Sequence, residues 1–175
     1  SAGGQMRHVI IPTLDAIVGN PPYVRQEEIS IPPTAEFKGR VKITAKSLDQ
    51  IKKEQRAYKK HLSELASAFA PDIEFSGRSD LHVYFWPHCA KYLKDDSYFG
   101  FLTSSGWLDV EYGFALQEFV LRHFAVVAVF ESQLEPWFTG ARVTTAATIL
   151  RRERDETKRR DNLVRFVQIR SFMTE

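Results

Sequence analysis

Four consecutive residues, Asn20-Pro21-Pro22-Tyr23, combine a carboxamide, two rings that fix backbone angles and an aromatic face. They follow Ala16-Ile17-Val18, an apolar run that reads as the end of a buried strand. Proline donates no backbone hydrogen bond and pushes the residue before it out of helical geometry, so the strand must stop in a stiff corner. A rigid corner at the end of a core strand can hold a small planar substrate. Few other residues compete for chemistry. His82 and His88 fall near one helical face with nothing nearby to complete a metal site, and no Cys/His cluster has zinc spacing. No metal is expected. Cys89, the single cysteine, falls in the middle of a helix, where a free cysteine serves as a small hydrophobe.

Charge marks a second feature. Between Lys38 and Lys60 stand nine Lys/Arg residues, Lys52, Lys53, Lys59 and Lys60 among them, against only Asp49 and Glu54. Such a stripe suits contacts to phosphates, which supply affinity without sequence preference; a solvated helix face is the alternative. The net charge of +2 carries little information beside this clustering. A lone cysteine excludes an internal disulfide framework and fits a reducing, cytoplasmic setting. No apolar run approaches the roughly 20 residues needed to span a bilayer, so no membrane partner is expected.

The elements that must position these groups alternate between strand and helix. Leu14 to Gly19 reads as a strand, Ala45 to Ala70 as a helix free of Gly and Pro, and Asp80 as the N-cap of a second helix. Leu81, Phe85 and Tyr92 are that helix's expected inward residues, and Pro87 should bend it. Tyr98–Thr103 follows as a strand, Ser104–Gly106 as a loop and Tyr112–Phe124 as an amphipathic helix. Val126–Phe130, Val143–Leu150 and Leu163–Ile169 read as later strands, with Arg151–Asn162 a charged connection. This order argues for an α/β fold with a largely parallel, Rossmann-like sheet and a late antiparallel strand. Ligands in such sheets bind at the carboxyl ends of strands, which gathers Asn20–Tyr23, Thr103–Asp109 and Glu131–Thr139 at one rim.

Asn-Pro-Pro-Tyr is the signature of amino-group methyltransferases that use S-adenosylmethionine. The stretches "DAIVGNPPYVRQEE", "SGRSDLHVYFWPHCAKYL", "YFGFLTSSGWLDVEYGFALQEFVLRHF" and "EPWFTGARVTTAATILRRE" resemble, more narrowly, the N6-adenine DNA methyltransferases of type IIG restriction-modification and phage-defence systems. Where that family often has Asp-Leu-Tyr, this chain has Asp80-Leu81-His82. The resemblance implies methylation of the adenine N6 amino group in double-stranded DNA. Asn20 and the backbone carbonyl of Pro21 would accept from the two amino N–H bonds and turn the nitrogen lone pair towards the methyl group, with Pro22 stiffening the turn. The target base would leave the duplex, and Tyr23 and Phe138 would stack on it. Asn20 and Asp80 would border the cofactor. Other amino groups (cytosine N4, RNA guanine N2, a protein glutamine) and a noncatalytic binding or assembly role remain alternatives.

These stretches cover most of the chain outside an insertion at 29–75, which carries the basic helix, and the last residues; residues 1–175 are expected to form one partial methyltransferase domain. The glycine-rich loop and acidic residue that hold the cofactor in this family have no counterpart after Asn20. The chain therefore reads as the catalytic half of a longer enzyme, relying on an S-adenosylmethionine lobe and a target-recognition domain elsewhere. Alone it is expected to be inactive, with an exposed sheet edge open to self-association.

Overall fold

The computed structural model describes residues 10–30, 45–132 and 144–170. Strand β1 spans Leu14–Gly19 and stops at the proline corner. Helix α1 spans Ala45–Phe69, ending just before Pro71, and α2 spans Leu81–Ala90. Strand β2, Leu93–Ser104, starts five residues earlier than the sequence pattern predicts. Its first part leaves the regular ladder: β1 pairs Leu14 with Leu93 and then Ala16 with Tyr98, so the residues between bulge out. Asp96 takes φ 60° there, a left-handed conformation that Asp adopts more readily than most residues.

After β2 the chain makes 3₁₀ turns at Ser105–Leu108 and Glu111–Gly113 before α3, Phe114–His123. The amphipathic helix expected from Tyr112 thus begins two residues later. Strands β3, Phe124–Ser132, and β4, Thr145–Arg152, are followed by the short helix α4, Glu156–Arg160, and β5, Arg165–Ile169. The sheet order is β1-β2-β4-β3-β5. β1 pairs parallel with β2, and β3 with β5, while β4 runs antiparallel to both its neighbours. Among the described residues four strands therefore run one way and β4 opposes them, which is the largely parallel sheet with a late antiparallel strand that the element order implied.

The core lies on one face. Alternate residues of β2 (Phe99, Phe101, Thr103) point into it, as strand periodicity requires. Trp86 of α2 meets Phe99, Phe101 and Trp107, each at 5.4 Å between ring centroids. Apolar around most of its circumference, α2 is buried accordingly. Phe85 departs from expectation: it lies 36% exposed while Val83, Tyr84 and Trp86 are buried. Tyr92 lies beyond the helix, which ends at Ala90, so neither residue serves as an inward-facing position of α2. From the segment 29–75, Ile29, Ala66, Ala70, Ile73 and Phe75 all enter the core, and this basic stretch is fastened through its apolar side. Among the described residues, β1 stands at the edge of the sheet, so the buried strand expected at Ala16–Val18 is instead largely exposed: Ala16 is exposed, Ile17 half-buried and Val18 87% exposed.

Candidate functional site

The corner is built from the end of β1 outward. Gly19 pairs with Phe101 in β2, and its hydrogen faces the Phe101 ring so closely that a Cβ would sit 2.8 Å from Cε1. Asn20 and Pro22 are exposed, whereas Pro21 between them is buried. The corner is thus anchored by one proline ring and presents a carboxamide outward. Tyr23 is half-buried, and burial pushes its phenol up to about 12, so it remains protonated at any working pH.

Residues immediately after Tyr23 are fastened to the start of α2 and to α1. The Leu81 N–H donates to the Val24 carbonyl at 3.0 Å. The Gln26 N–H donates to Asp80 Oδ1 at 3.0 Å, and Lys59 Nζ donates to the Gln26 carbonyl at 2.9 Å. The second oxygen of Asp80 accepts from the Tyr112 hydroxyl at 2.7 Å. Burial first, then that hydrogen bond and the carboxylate's charge, hold the Tyr112 phenol well above its ordinary range. Asp80 does occupy the N-cap position of α2, but its side chain makes no cap bond. Its carboxylate is committed to Gln26 and Tyr112 instead, a long-range pairing that no local signal could announce.

The corner shares its rim with the loop after β2. Thr103 and Glu131 both pair with Ala146, so β2 and β3 end nearly level, while β1 stops at Gly19, level with Phe101, and the corner covers the last three residues of β2. The Ser105 N–H donates to the Thr144 carbonyl at 2.9 Å, and the Ser105 hydroxyl donates to Thr144 Oγ1 at 2.9 Å. Gln117 Nε2 donates to the carbonyls of Trp107 at 2.9 Å and Leu108 at 3.2 Å. Trp107 is itself buried against Trp86, which leaves this second loop as firmly held as the first. The third predicted loop is described only at Glu131 and Ser132; Phe138 lies outside the described residues.

Lys52, Lys53, Arg56 and Lys60 are exposed on α1 at spacings that share one helical face. Lys60 also approaches Glu64, at 3.6 Å. Lys59 points elsewhere, to the Gln26 carbonyl just beyond the corner. His82 is fully buried, with neither ring nitrogen hydrogen-bonded, and burial lowers its pKa to about 4. His88 on the same helix is exposed. Among the described residues no three His, Cys, Asp or Glu side chains are grouped to hold a metal ion, and no helix is long and apolar enough to cross a membrane. Cys89 is half-buried, and burial pushes its thiol up, away from thiolate character. The corner therefore offers an exposed carboxamide and acceptor backbone carbonyls rather than a nucleophile. Such a set can hold an amino group through its N–H bonds.

Residues 12–138 match the Eco57I restriction-modification methylase family. The type II methyltransferase M.XhoI of Xanthomonas vasicola is 26% identical over 159 residues, which are 88% of this chain and 23% of that protein. The chain thus spans about a quarter of its curated relative. Among solved structures, a type I restriction-modification methyltransferase subunit from Streptococcus thermophilus superimposes with a TM-score of 0.56 at 18% identity, over 95% of this chain and 28% of that one. The type ISP restriction-modification enzyme LlaGI, in complex with a DNA substrate mimic, gives 0.52 at 19% identity, over 90% and 12%. A class I S-adenosylmethionine-dependent methyltransferase from Listeria monocytogenes gives 0.50 at 12% identity, over 92% and 39%. The fold is the one these structures share.

Proposed function

This chain belongs to the Eco57I restriction-modification methylase family, and from that premise we propose that it is the catalytic part of a longer DNA methyltransferase acting on the N6 amino group of adenine. The observation that carries this is the Asn20-Pro21-Pro22-Tyr23 corner: a buried proline and an exposed carboxamide at the carboxyl end of β1. An adenine amino group is a poor nucleophile because its lone pair is delocalised into the ring. The Asn20 side-chain carbonyl and the Pro21 backbone carbonyl accept from its two N–H bonds, favour a pyramidal nitrogen and stabilise the positive charge that develops there. Because the prolines hold this geometry in advance, little reorganisation is needed at the moment of reaction. S-adenosylmethionine, when bound, supplies the electrophilic methyl group; Asn20 borders it, and the rest of its site comes from the longer enzyme.

Tyr23 stacks on the extruded base, with Phe138 as the second aromatic partner. Lys52, Lys53 and Lys60 contact backbone phosphates of double-stranded DNA along the open face of α1. The free edge of β1 is where the cofactor lobe pairs, or where the chain self-associates when that lobe is missing. The setting is the cytoplasm, where the DNA is.

The test is methyl transfer by the whole enzyme carrying this chain, with DNA, RNA and protein offered separately and the methylated DNA base identified by mass spectrometry. N6-methyladenine is expected, and N20A should lower the rate by on the order of 100-fold or more while leaving DNA binding largely intact. Methylation of cytosine, RNA or protein alone, or near-normal turnover by N20A, would overturn the proposal.

A further inference from the structure

The corner has an uneven supply of fastenings. Two of its four residues are prolines and donate no backbone hydrogen bond. On the amino side β1 holds it through the ladder to β2. On the carboxyl side there is no strand, so the exit of the chain must be fixed by tertiary contacts. Val24 provides one, its carbonyl accepting from the Leu81 N–H at 3.0 Å, and Gln26 provides the charged ones. Its N–H meets the Asp80 carboxylate at 3.0 Å and its carbonyl meets the Lys59 ammonium at 2.9 Å. One residue is therefore gripped by opposite charges, each matched to the polarity of the group it holds. Hydrogen bonds to ionised partners are roughly twice as strong as neutral ones.

The same carboxylate accepts from the Tyr112 hydroxyl at 2.7 Å. Tyr112 lies in the 3₁₀ turn that closes the loop after β2. Asp80 thus ties the two loops of the rim to each other, and Lys59 ties the first of them to α1.

We infer that Asp80 and Lys59 are positioning residues, which fix the catalytic corner Asn20–Tyr23 through the backbone of Gln26 without touching substrate. This rests on the corner being the methyl-transfer site. It assigns Lys59 a role different from that of Lys52, Lys53 and Lys60, although sequence places all four in one basic stripe. It also gives the first residue of the Asp80-Leu81-His82 stretch a mechanical task, exerted through Gln26 and Tyr112.

The experiment compares D80A, D80N and K59Q in the whole enzyme carrying this chain. Three readouts are taken: hydrogen exchange of the peptide covering residues 20–30, single-turnover methylation, and DNA affinity as a function of salt. D80A is expected to speed exchange at Gln26 by about tenfold or more and to slow methyl transfer by a similar factor, with DNA affinity little changed. D80N should recover most of both losses, because its amide oxygen can accept from the Gln26 N–H while its amide group donates to the Tyr112 oxygen. K59Q should slow methyl transfer without altering the salt slope. Unchanged exchange in D80A and K59Q would overturn the clamp, and faster exchange with unaltered methyl transfer would overturn its catalytic consequence. A salt slope reduced by about one in K59Q would make Lys59 a phosphate contact instead. An unmutated enzyme that methylates nothing would defeat the proposed function on its own, while the exchange data would still decide the clamp.

Discussion

Gly19→Ala is expected to damage the corner from behind, without touching any atom proposed to meet substrate. The added Cβ would lie 2.8 Å from Phe101 Cε1 and 3.3 Å from Cδ1. Phe101 is 4% exposed, with its ring 4.3 Å from that of Phe99 and 5.4 Å from that of Trp86, centroid to centroid. Hemmed in this way, the ring has nowhere to turn. Restoring an ordinary carbon contact of about 3.5 Å requires the end of β1 to retreat by roughly 0.7 Å. Overpacking of this kind costs about 1–3 kcal/mol, partly offset by the roughly 0.4–1 kcal/mol that Ala gains over Gly in the unfolded chain. A net loss of about 1–2 kcal/mol is expected in denaturant titrations. The functional loss should be larger, since the retreat displaces Asn20 and Pro21 directly. Misplacement on the order of 1 Å can cost about 100-fold, so a fall in single-turnover rate of roughly 10- to 100-fold is expected. Trimming the opposing ring supplies the control: the double variant G19A/F101L should recover part of the rate. If G19A matches the unmutated enzyme in both stability and rate, or if F101L gives no relief, the close-approach reasoning is refuted.

Tyr23→Ala should weaken capture of the extruded base by roughly 1–3 kcal/mol, and Phe138→Ala by a similar amount; 2-aminopurine fluorescence at the target position reports both. If either variant leaves that signal unchanged and only lowers the melting temperature, its ring packs rather than stacks. Neutralising Lys52, Lys53 and Lys60 together should lower DNA affinity and reduce the slope of log affinity against log salt by about one for each phosphate no longer neutralised. An unaltered slope would identify a solvated helix face. His82 makes stability pH-dependent in a defined direction. Burial lowers its pKa from 6.5 to about 4, with the Asp80 charge opposing in part. Above about pH 6.5 the ring is neutral in both states and stability is complete. As pH falls towards about 4 only the unfolded chain takes up the proton, so up to about 3 kcal/mol is lost. His82→Leu should flatten that part of the denaturation profile; identical losses in both proteins between pH 7 and pH 4.5 would show that His82 contributes nothing to it.

Strand β1, the span of α1 and the proline corner were legible in the amino-acid order because their causes are local. A short apolar run ends where two prolines withhold their N–H groups, and a long stretch without Gly or Pro forms a helix. The alternation of strands and helices likewise implied the sheet, and with it the rim where the corner lies. What the sequence left open depends on groups far apart in the chain. The predicted helix from Tyr112 is a 3₁₀ turn at first; at Gly113 the backbone runs so close to Trp107 that a Cβ would fall 1.9 Å from its carbonyl oxygen. Asp80 carries every local sign of a helix cap, yet Gln26, 54 positions away, and Tyr112, 32 positions away, claim its carboxylate. Lys59 is chemically indistinguishable from its neighbours in the basic stripe, and only the packing of α1 beside the corner turns its ammonium to the Gln26 carbonyl, 33 residues distant. Composition and spacing decide which groups a chain owns and which segments can be regular. Charged side chains have several partners within reach of their long stems, and only the fold brings one of them close enough, and dry enough, to win.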